Sequence, residues 1–315
     1  MYQKLVRNNE YKEEFKLVNK CSKSEIRSIR NGLLFVSPYI VGFSVFFLYP
    51  FIFSLYYGFT SYSVLRTPEW TGLLNYKLLF IEDRLFRISV YNTLYYTAFF
   101  VLFALVADLI IALLLTTHIK GKSILRLIYF LPSIIPFAAM ALLWLWVFNA
   151  RWGIINQTLR VLNIFAPAWF SDPKWSKPGL IIMMTWASGR MIVILLAGIQ
   201  GIPRQLYEVA ELDGANWWQQ FVHVTLPLLT PIILFVIIMS MIQSFQLFTQ
   251  PYIMTDGGPA NSTLFYSIYL YRTAFRYFKL GYGSAIATVF FFIVLICTLA
   301  ILKSSARWVY YERKR

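Results

Sequence analysis

Residues 207–231 read YEVAELDGANWWQQFVHVTLPLLTP, a stretch that sets two Glu, an Asp-Gly and a Leu-Pro between two strongly apolar runs. The chain around it has 315 residues, of which 58% are hydrophobic and 19% aromatic, more apolar than an ordinary soluble domain. The apolar residues gather into runs near the ~20 residues needed to cross a ~30 Å hydrocarbon core. These runs cover residues 33–55, 90–116, 127–148, 180–199, 227–248 and 284–302. The expected fold class is therefore an all-α membrane protein with about six transmembrane helices. An even count puts both termini on one side. The first run is too long for a signal-peptide core and has no small-residue cleavage site after it, so it reads as a retained helix.

The formal charge of +15 does not point to nucleic acid, because the cations lie around the apolar runs and not on a soluble domain. Lys4, Arg7, Lys12, Lys16, Lys20, Lys23, Arg27 and Arg30 crowd the N-terminal tail; Lys120, Lys122 and Arg126 share a short loop; Lys303, Arg307, Arg313, Lys314 and Arg315 end the chain. The positive-inside rule puts all three groups in the cytoplasm. Arg84, Arg87, Arg151, Lys174, Arg272 and Lys279 then fall on the outer side, in longer segments that also carry Trp70, Trp152, Trp169 and Trp175. Such aromatics suit the headgroup zone or a docking surface. Pro38, Pro50, Pro132 and Pro136 should kink their helices. The organisation expected is a basic tail (1–31), a first span with an outer loop (32–84), a core membrane domain (85–303) and a second basic tail (304–315).

Catalytic and cofactor chemistry is sparse. GKS at 121–123 lacks the Gly a P-loop needs five residues earlier, where Thr116 stands, so no ATP site is expected on this chain. His118 and His223 have no second ligand at metal spacing, and Cys21 and Cys297 are not expected to pair. No metal is expected, and the spans show no paired carboxylates or nucleophile with a base. A membrane enzyme and a stand-alone secondary transporter remain the other classes; the second needs ion-coupling carboxylates, and the acidic residues lie mostly outside the spans.

Within the opening stretch Pro203 can start a helix, with Glu208 near its positive end. Leu206, Val209, Ala210 and Asp213 share a weakly apolar face. Gly214 ends this helix through its access to positive φ, Asn216 caps the next through Trp217, Trp218 and Phe221, and Leu226-Pro227 turns the chain into the following span.

Glu208-Val209-Ala210, Gly214, Val224 and Leu226-Pro227 together resemble the EAA loop of permease subunits in binding-protein-dependent ABC importers. Val209 stands where that family usually has Ala, and Val224 where it has Ile. The resemblance runs from Asn92-Thr93 through GKSILRLIYFLP and GIPRQLYEVAELDGA to TDGGPANSTLFYSIYLY and GYGSAIA, and it is similar to the carbohydrate-uptake branch with its maltose- and oligosaccharide-type permeases. It implies a type I permease fold with the EAA loop at 201–227 as a coupling helix on a cytoplasmic ATPase. The partners implied are a second, different permease, an ABC ATPase dimer that holds ATP and Mg, an extracellular or periplasmic solute-binding protein, and the lipid of a bacterial cell membrane; the chain itself would bind no cofactor. In the coupling loop Glu208 would pair with a basic group, Ala210 and Gly214 would permit close approach, Asp213 would bond locally, and Val209, Ala215, Leu226 and Pro227 complete the motif.

Arg190 stands inside an apolar run, where a charge costs ~3 kcal/mol or more unless it faces a cavity or a partner. The resemblance places the spans before and after the EAA loop around the sugar. Ser240, Gln243, Ser244 and Gln250 read as one broad hydroxyl-binding face on the later span, and Arg190 beside it could hold a carboxylate. The cargo expected is an oligosaccharide, either uronate-containing or neutral; in the neutral case Arg190 is structural and pairs with Asp108 or with the second permease. Gly257, Gly258 and Pro259, in TDGGPANST, read as an outer loop with flexible glycines that gates the pathway or contacts the binding protein, or as an ordinary turn.

Overall fold

The computed structural model describes residues 23–63, 67–117 and 120–310, with side chains from Arg27 onward. Cys21, His118, the Lys and Arg residues before Lys23, and Arg313, Lys314 and Arg315 lie outside the described residues. The described residues up to Tyr56 form one compact unit and those from Tyr57 onward another. The first unit carries α1 (Lys23–Phe43), a π-helical turn (Ser44–Leu48) and most of α2 (Tyr49–Tyr57). Arg27 and Arg30 are thus already helical. Pro38 sits inside α1, and the π turn immediately precedes Pro50. Widening the helix there accommodates a residue with no N–H and a bulky ring.

The second unit is built on α4 (Arg84–Leu114), preceded by the short α3 (Leu74–Ile81). At ~1.5 Å per residue α4 is longer than a ~30 Å hydrocarbon core needs. Its buried residues Phe86, Ser89, Thr93, Tyr96, Phe100, Ala104, Asp108 and Ala112 recur every three or four positions, a stripe that faces inward along the whole helix. Around it run α5 (Lys122–Phe130) with a 3₁₀ turn (Leu131–Ile134), α6 (Phe137–Val147), α7 (Ile154–Val161), α8 (Pro173–Trp186), α9 (Gly189–Gln200), α10 (Arg204–Leu212), α11 (Trp217–Gln220), α12 (Leu226–Phe245), α13 (Thr249–Thr255), α14 (Tyr266–Tyr271) and α15 (Leu280–Ser305).

Among the described residues four continuous helices are long and apolar enough to cross a membrane: Arg27–Tyr57, Arg84–Leu114, Trp217–Phe245 and Leu280–Ser305. Two further spans are broken. Lys122–Ile134 and Phe137–Val147 meet at 103°, and Pro173–Trp186 and Gly189–Gln200 meet at 48°. The first bend follows from Pro132 and Pro136, as the sequence leads one to expect. The second lies at Ala187 and Ser188, where no proline marks it.

Two apolar clusters form the core. One joins Tyr96, Phe100, Met140, Trp144, Leu180, Met183, Phe265 and Tyr266. The other joins Ala112, Met191, Leu195, Ile199, Leu229, Ile233 and Val236. Trp169, read from the sequence as suited to the headgroup zone or to a docking surface, is buried in the first cluster and donates to Asn156 Oδ1 at 2.8 Å. Trp175 is half-buried and packs edge-on against Trp169 at 5.6 Å, while Trp70 and Trp152 are exposed.

Asp83 fastens the end of the bundle where α4 begins. Its Oδ1 caps the helix by accepting from the Phe86 N–H at 2.9 Å. Its Oδ2 accepts from Tyr282 at 2.6 Å and from Tyr269. Burial, and then the bond to Asp83, push the Tyr269 hydroxyl above the usual tyrosine value and keep it a donor. Asp83→Ala removes a cap and strands a buried hydroxyl. We expect a loss of about 2–4 kcal/mol, read as a lowered unfolding midpoint of the purified complex, with a smaller loss for Asp83→Asn.

Candidate functional site: a break between two spans and a surface helix

The two broken spans touch at their breaks. Gly189 packs so tightly that a Cβ there would lie 2.2 Å from the Tyr129 carbonyl oxygen, so only glycine permits this approach. One residue further on, Arg190 Nη2 donates to the Ser133 carbonyl at 3.2 Å, a group that the 3₁₀ turn and Pro136 leave outside the regular helix. Ser188 donates to Asp108 Oδ1 on α4, while Asp108 Oδ2 is buried with no partner among the described residues. Asp108 thus serves the break through Ser188. The Arg190–Asp108 ion pair considered from sequence is not formed: the ion pairs among the described residues join Asp256 to Arg272 and Arg276.

A small cavity of about 50 Å³ lies at this point, lined by Ser133, Met184, Ser188, Arg190, Ser240 and Gln243 among others. Arg190 and Gln243 are exposed, and Ser240 is buried. The other two expected pathway residues turn elsewhere. Ser244 is buried and donates to Thr97 Oγ1 at 2.9 Å, tying α12 to α4. Gln250 is not on the span at all, because α12 ends at Phe245; it sits on α13 and donates to Met184 Sδ at 3.3 Å, behind the cavity wall. The single broad face expected of Ser240, Gln243, Ser244 and Gln250 is therefore two residues wide. Sequence reasoning missed Ser188 and Ser133, whose roles depend on where two helices stop.

The polar stretch after α9 forms a surface helix. Pro203 precedes α10, Gly214 follows it at φ +77°, and Asn216 caps α11 in a reciprocal box with Gln219. Glu208 lies mid-helix, because the first turn begins at Arg204 and carries no acid. Glu208 and Asp213 are exposed and make no ion pair among the described residues. The outward apolar face is Leu206, Val209 and Leu212, the last 88% exposed; Ala210 and Ala215 are half-buried behind it. Leu212 was missed because its helical neighbours 208 and 211 are acidic.

Leu226-Pro227 does not turn the chain. Residues 217–245 run as one helix, widened into a π turn at Phe221–Thr225. That turn takes up the hydrogen bond Pro227 cannot make. Tyr207 and Thr225 share a hydroxyl hydrogen bond of 2.9 Å, which ties α10 to this helix. His223 Nδ1 lies 3.0 Å from the Gln219 carbonyl oxygen.

The loop with Gly257, Gly258 and Pro259 is packed and hydrogen-bonded to its neighbours. Gly257 is buried at φ +79°. The Gly258 N–H donates to Thr255 O at 2.9 Å and its carbonyl accepts from Thr263 at 2.7 Å. Arg272 and Arg276 hold Asp256 at 2.9 and 3.5 Å.

Residues 108–309 match the family of binding-protein-dependent transport system inner membrane components. The chain belongs to this family: it is a multi-pass permease component of an ABC importer that works with a binding protein. It is 40% identical over 296 residues to a protein of Bacillus subtilis (strain 168) named as a probable ABC transporter permease, YesP, covering 91% of this chain and 96% of that one. It is 33% identical to the sulfoquinovosyl glycerol transport system permease protein SmoG of Agrobacterium fabrum (strain C58), covering 86% and 89%. Both relatives are named as transport permeases and not as enzymes. A chain of the crystal structure of a bacterial ABC transporter involved in the import of the acidic polysaccharide alginate superposes with a TM-score of 0.79 over 91% of this chain and 99% of that one, at 22% identity. That likeness establishes the type I permease fold; an EAA motif and coupling helix are typical of the family that residues 108–309 match.

Gly189→Ala forces the two broken spans apart. We expect a cost of about 1–3 kcal/mol, measured as a lower yield and unfolding midpoint of the assembled complex.

Proposed function

We propose that this chain forms half of the pathway of a bacterial oligosaccharide importer and that its cargo carries a carboxylate. The observation that carries this reading is the placement of Arg190. It opens α9 within a broken span, at the positive end of a half-helix, beside Ser240 and Gln243 and with no carboxylate partner among the described residues. An exposed guanidinium held only by one backbone carbonyl keeps donors free for a bidentate carboxylate. The sugar class rests on the 33% identical relative named for sulfoquinovosyl glycerol transport. A cavity of about 50 Å³ is far below the ~300 Å³ and above of small-molecule sites, so the chain supplies one wall. The second wall comes from a second, different permease.

In this reading the α10 segment, with Leu206, Val209 and Leu212 outward and Glu208 on its flank, docks on one of two cytoplasmic ABC ATPases that hold ATP and Mg. A solute-binding protein delivers the sugar to the opposite face, where the Gly257–Pro259 loop lies, and both termini are cytoplasmic. A second reading is favoured by the bond from Arg190 to Ser133: the cargo is neutral and Arg190 fastens the break.

Uptake of labelled oligosaccharides by cells carrying the whole system separates the two. Arg190→Met should lower uptake of a uronate-containing oligosaccharide about ten- to a hundredfold and leave a neutral one nearly unchanged; equal loss of both establishes the neutral reading. Gly214→Val places a β-branched residue at positive φ, at ~1–2 kcal/mol or more. It should abolish uptake while the chain still inserts, and normal transport by this variant would sink the docking role of α10.

A further inference from the structure

A groove of about 600 Å³ runs between α4 and α8, apart from the Arg190 cavity. Its α4 wall is Tyr95, Phe99, Phe103 and Ala107, one residue per turn, and its α8 wall includes Ile181 and Ile182. Successive rings contact one another, Tyr95 to Phe99 at 4.6 Å and Phe99 to Phe103 at 6.3 Å. From Tyr95 to Ala107 the groove extends about 18 Å along the helix, close to one leaflet of a ~30 Å core.

At its outer end stands Lys177. The ammonium donates to Asn92 Oδ1 at 2.9 Å and lies over the Tyr95 and Tyr91 rings at 5.0 and 5.5 Å. Asn92 donates in turn to Asn261 O and Leu264 O, so Lys177 is held in place. No carboxylate pairs with it among the described residues, and an ammonium has three N–H donors, of which Asn92 takes one.

We propose that this groove binds an anionic phospholipid, with an acyl chain along the aromatic wall and the phosphate on Lys177. The charge at one end calls for an anion, and the leaflet-long apolar wall below it calls for a hydrocarbon chain. A sugar does not satisfy the wall, where Tyr95 and Thr185 bear the lining hydroxyls and convergent polar groups are lacking. The proposal is independent of the cargo.

The test places a photo-crosslinker by Phe103→p-benzoylphenylalanine in the assembled transporter, in nanodiscs of equimolar phosphatidylglycerol and phosphatidylcholine, and identifies the adduct by mass. Wild-type Lys177 should give a phosphatidylglycerol adduct in about fivefold preference. Lys177→Gln should bring the two lipids to parity, and Lys177→Arg should restore the preference. A crosslink to another protein subunit, a preference unchanged in Lys177→Gln, no preference in the wild type, or no adduct at all would each overturn the proposal.

Discussion

Backbone that stops being helical inside a hydrocarbon layer must find hydrogen-bond partners within the protein, and two spans of this chain stop being helical where they touch. The contact is made by backbone: Gly189 sits against the Tyr129 carbonyl with no room for a Cβ. Around it the polar groups released by the breaks are taken up locally. Ser133 O accepts from Arg190, and Ser188, itself bonded to Thr185 O, donates to Asp108. The apolar clusters lie on either side. Asp108 falls between Ala104 of one and Ala112 of the other, and Ser188 between Met183 and Met191. A polar layer between two dry ones is therefore built into the packing, and the cavity with Arg190 lies in it.

The same arrangement gives a mechanical route. α9 begins at the break and ends at Gln200, only Gly201, Ile202 and Pro203 separate it from α10, and the helix after α10 continues into α12. α9 and α12 share the second apolar cluster, the first contributing Leu195, Leu196 and Ile199 and the second Leu229, Ile233 and Val236. Tyr207 bonded to Thr225 closes the loop. A push on α10 has little slack to absorb it, since interfaces packed in this way shift as units. Arg190 and Gln243, which line the small cavity, stand near the ends of these helices far from α10.

Much of this was legible in the sequence. The placement of the spans followed from the apolar runs, the stop at Gly214 from its need for positive φ, and the start at Asn216 from its capping side chain, because each depends on nearby residues. Tertiary partners were not legible. Ser244 reads as polar on a span, yet its partner Thr97 is 147 positions away. Gln250 was placed by continuing the helix past Phe245, where the chain in fact breaks. The glycines of the 257–259 loop suggested flexibility, but Thr255, Thr263, Arg272 and Arg276 fix that loop from outside it. Pro227 suggested a turn, and a π turn just before it let the helix continue. In each case local chemistry named a capability, and a distant contact decided its use.

Arg190 is the side chain on which the proposed function turns. A buried charge with one carbonyl partner would be costly, yet Arg190 is exposed at the depth of the break, where lipid would be a worse neighbour still. The structure resolves the conflict only if that face of the chain looks onto water or another protein. Under the proposed function a pathway between two permeases would provide both, and the free donors of the guanidinium would then be directed at the cargo.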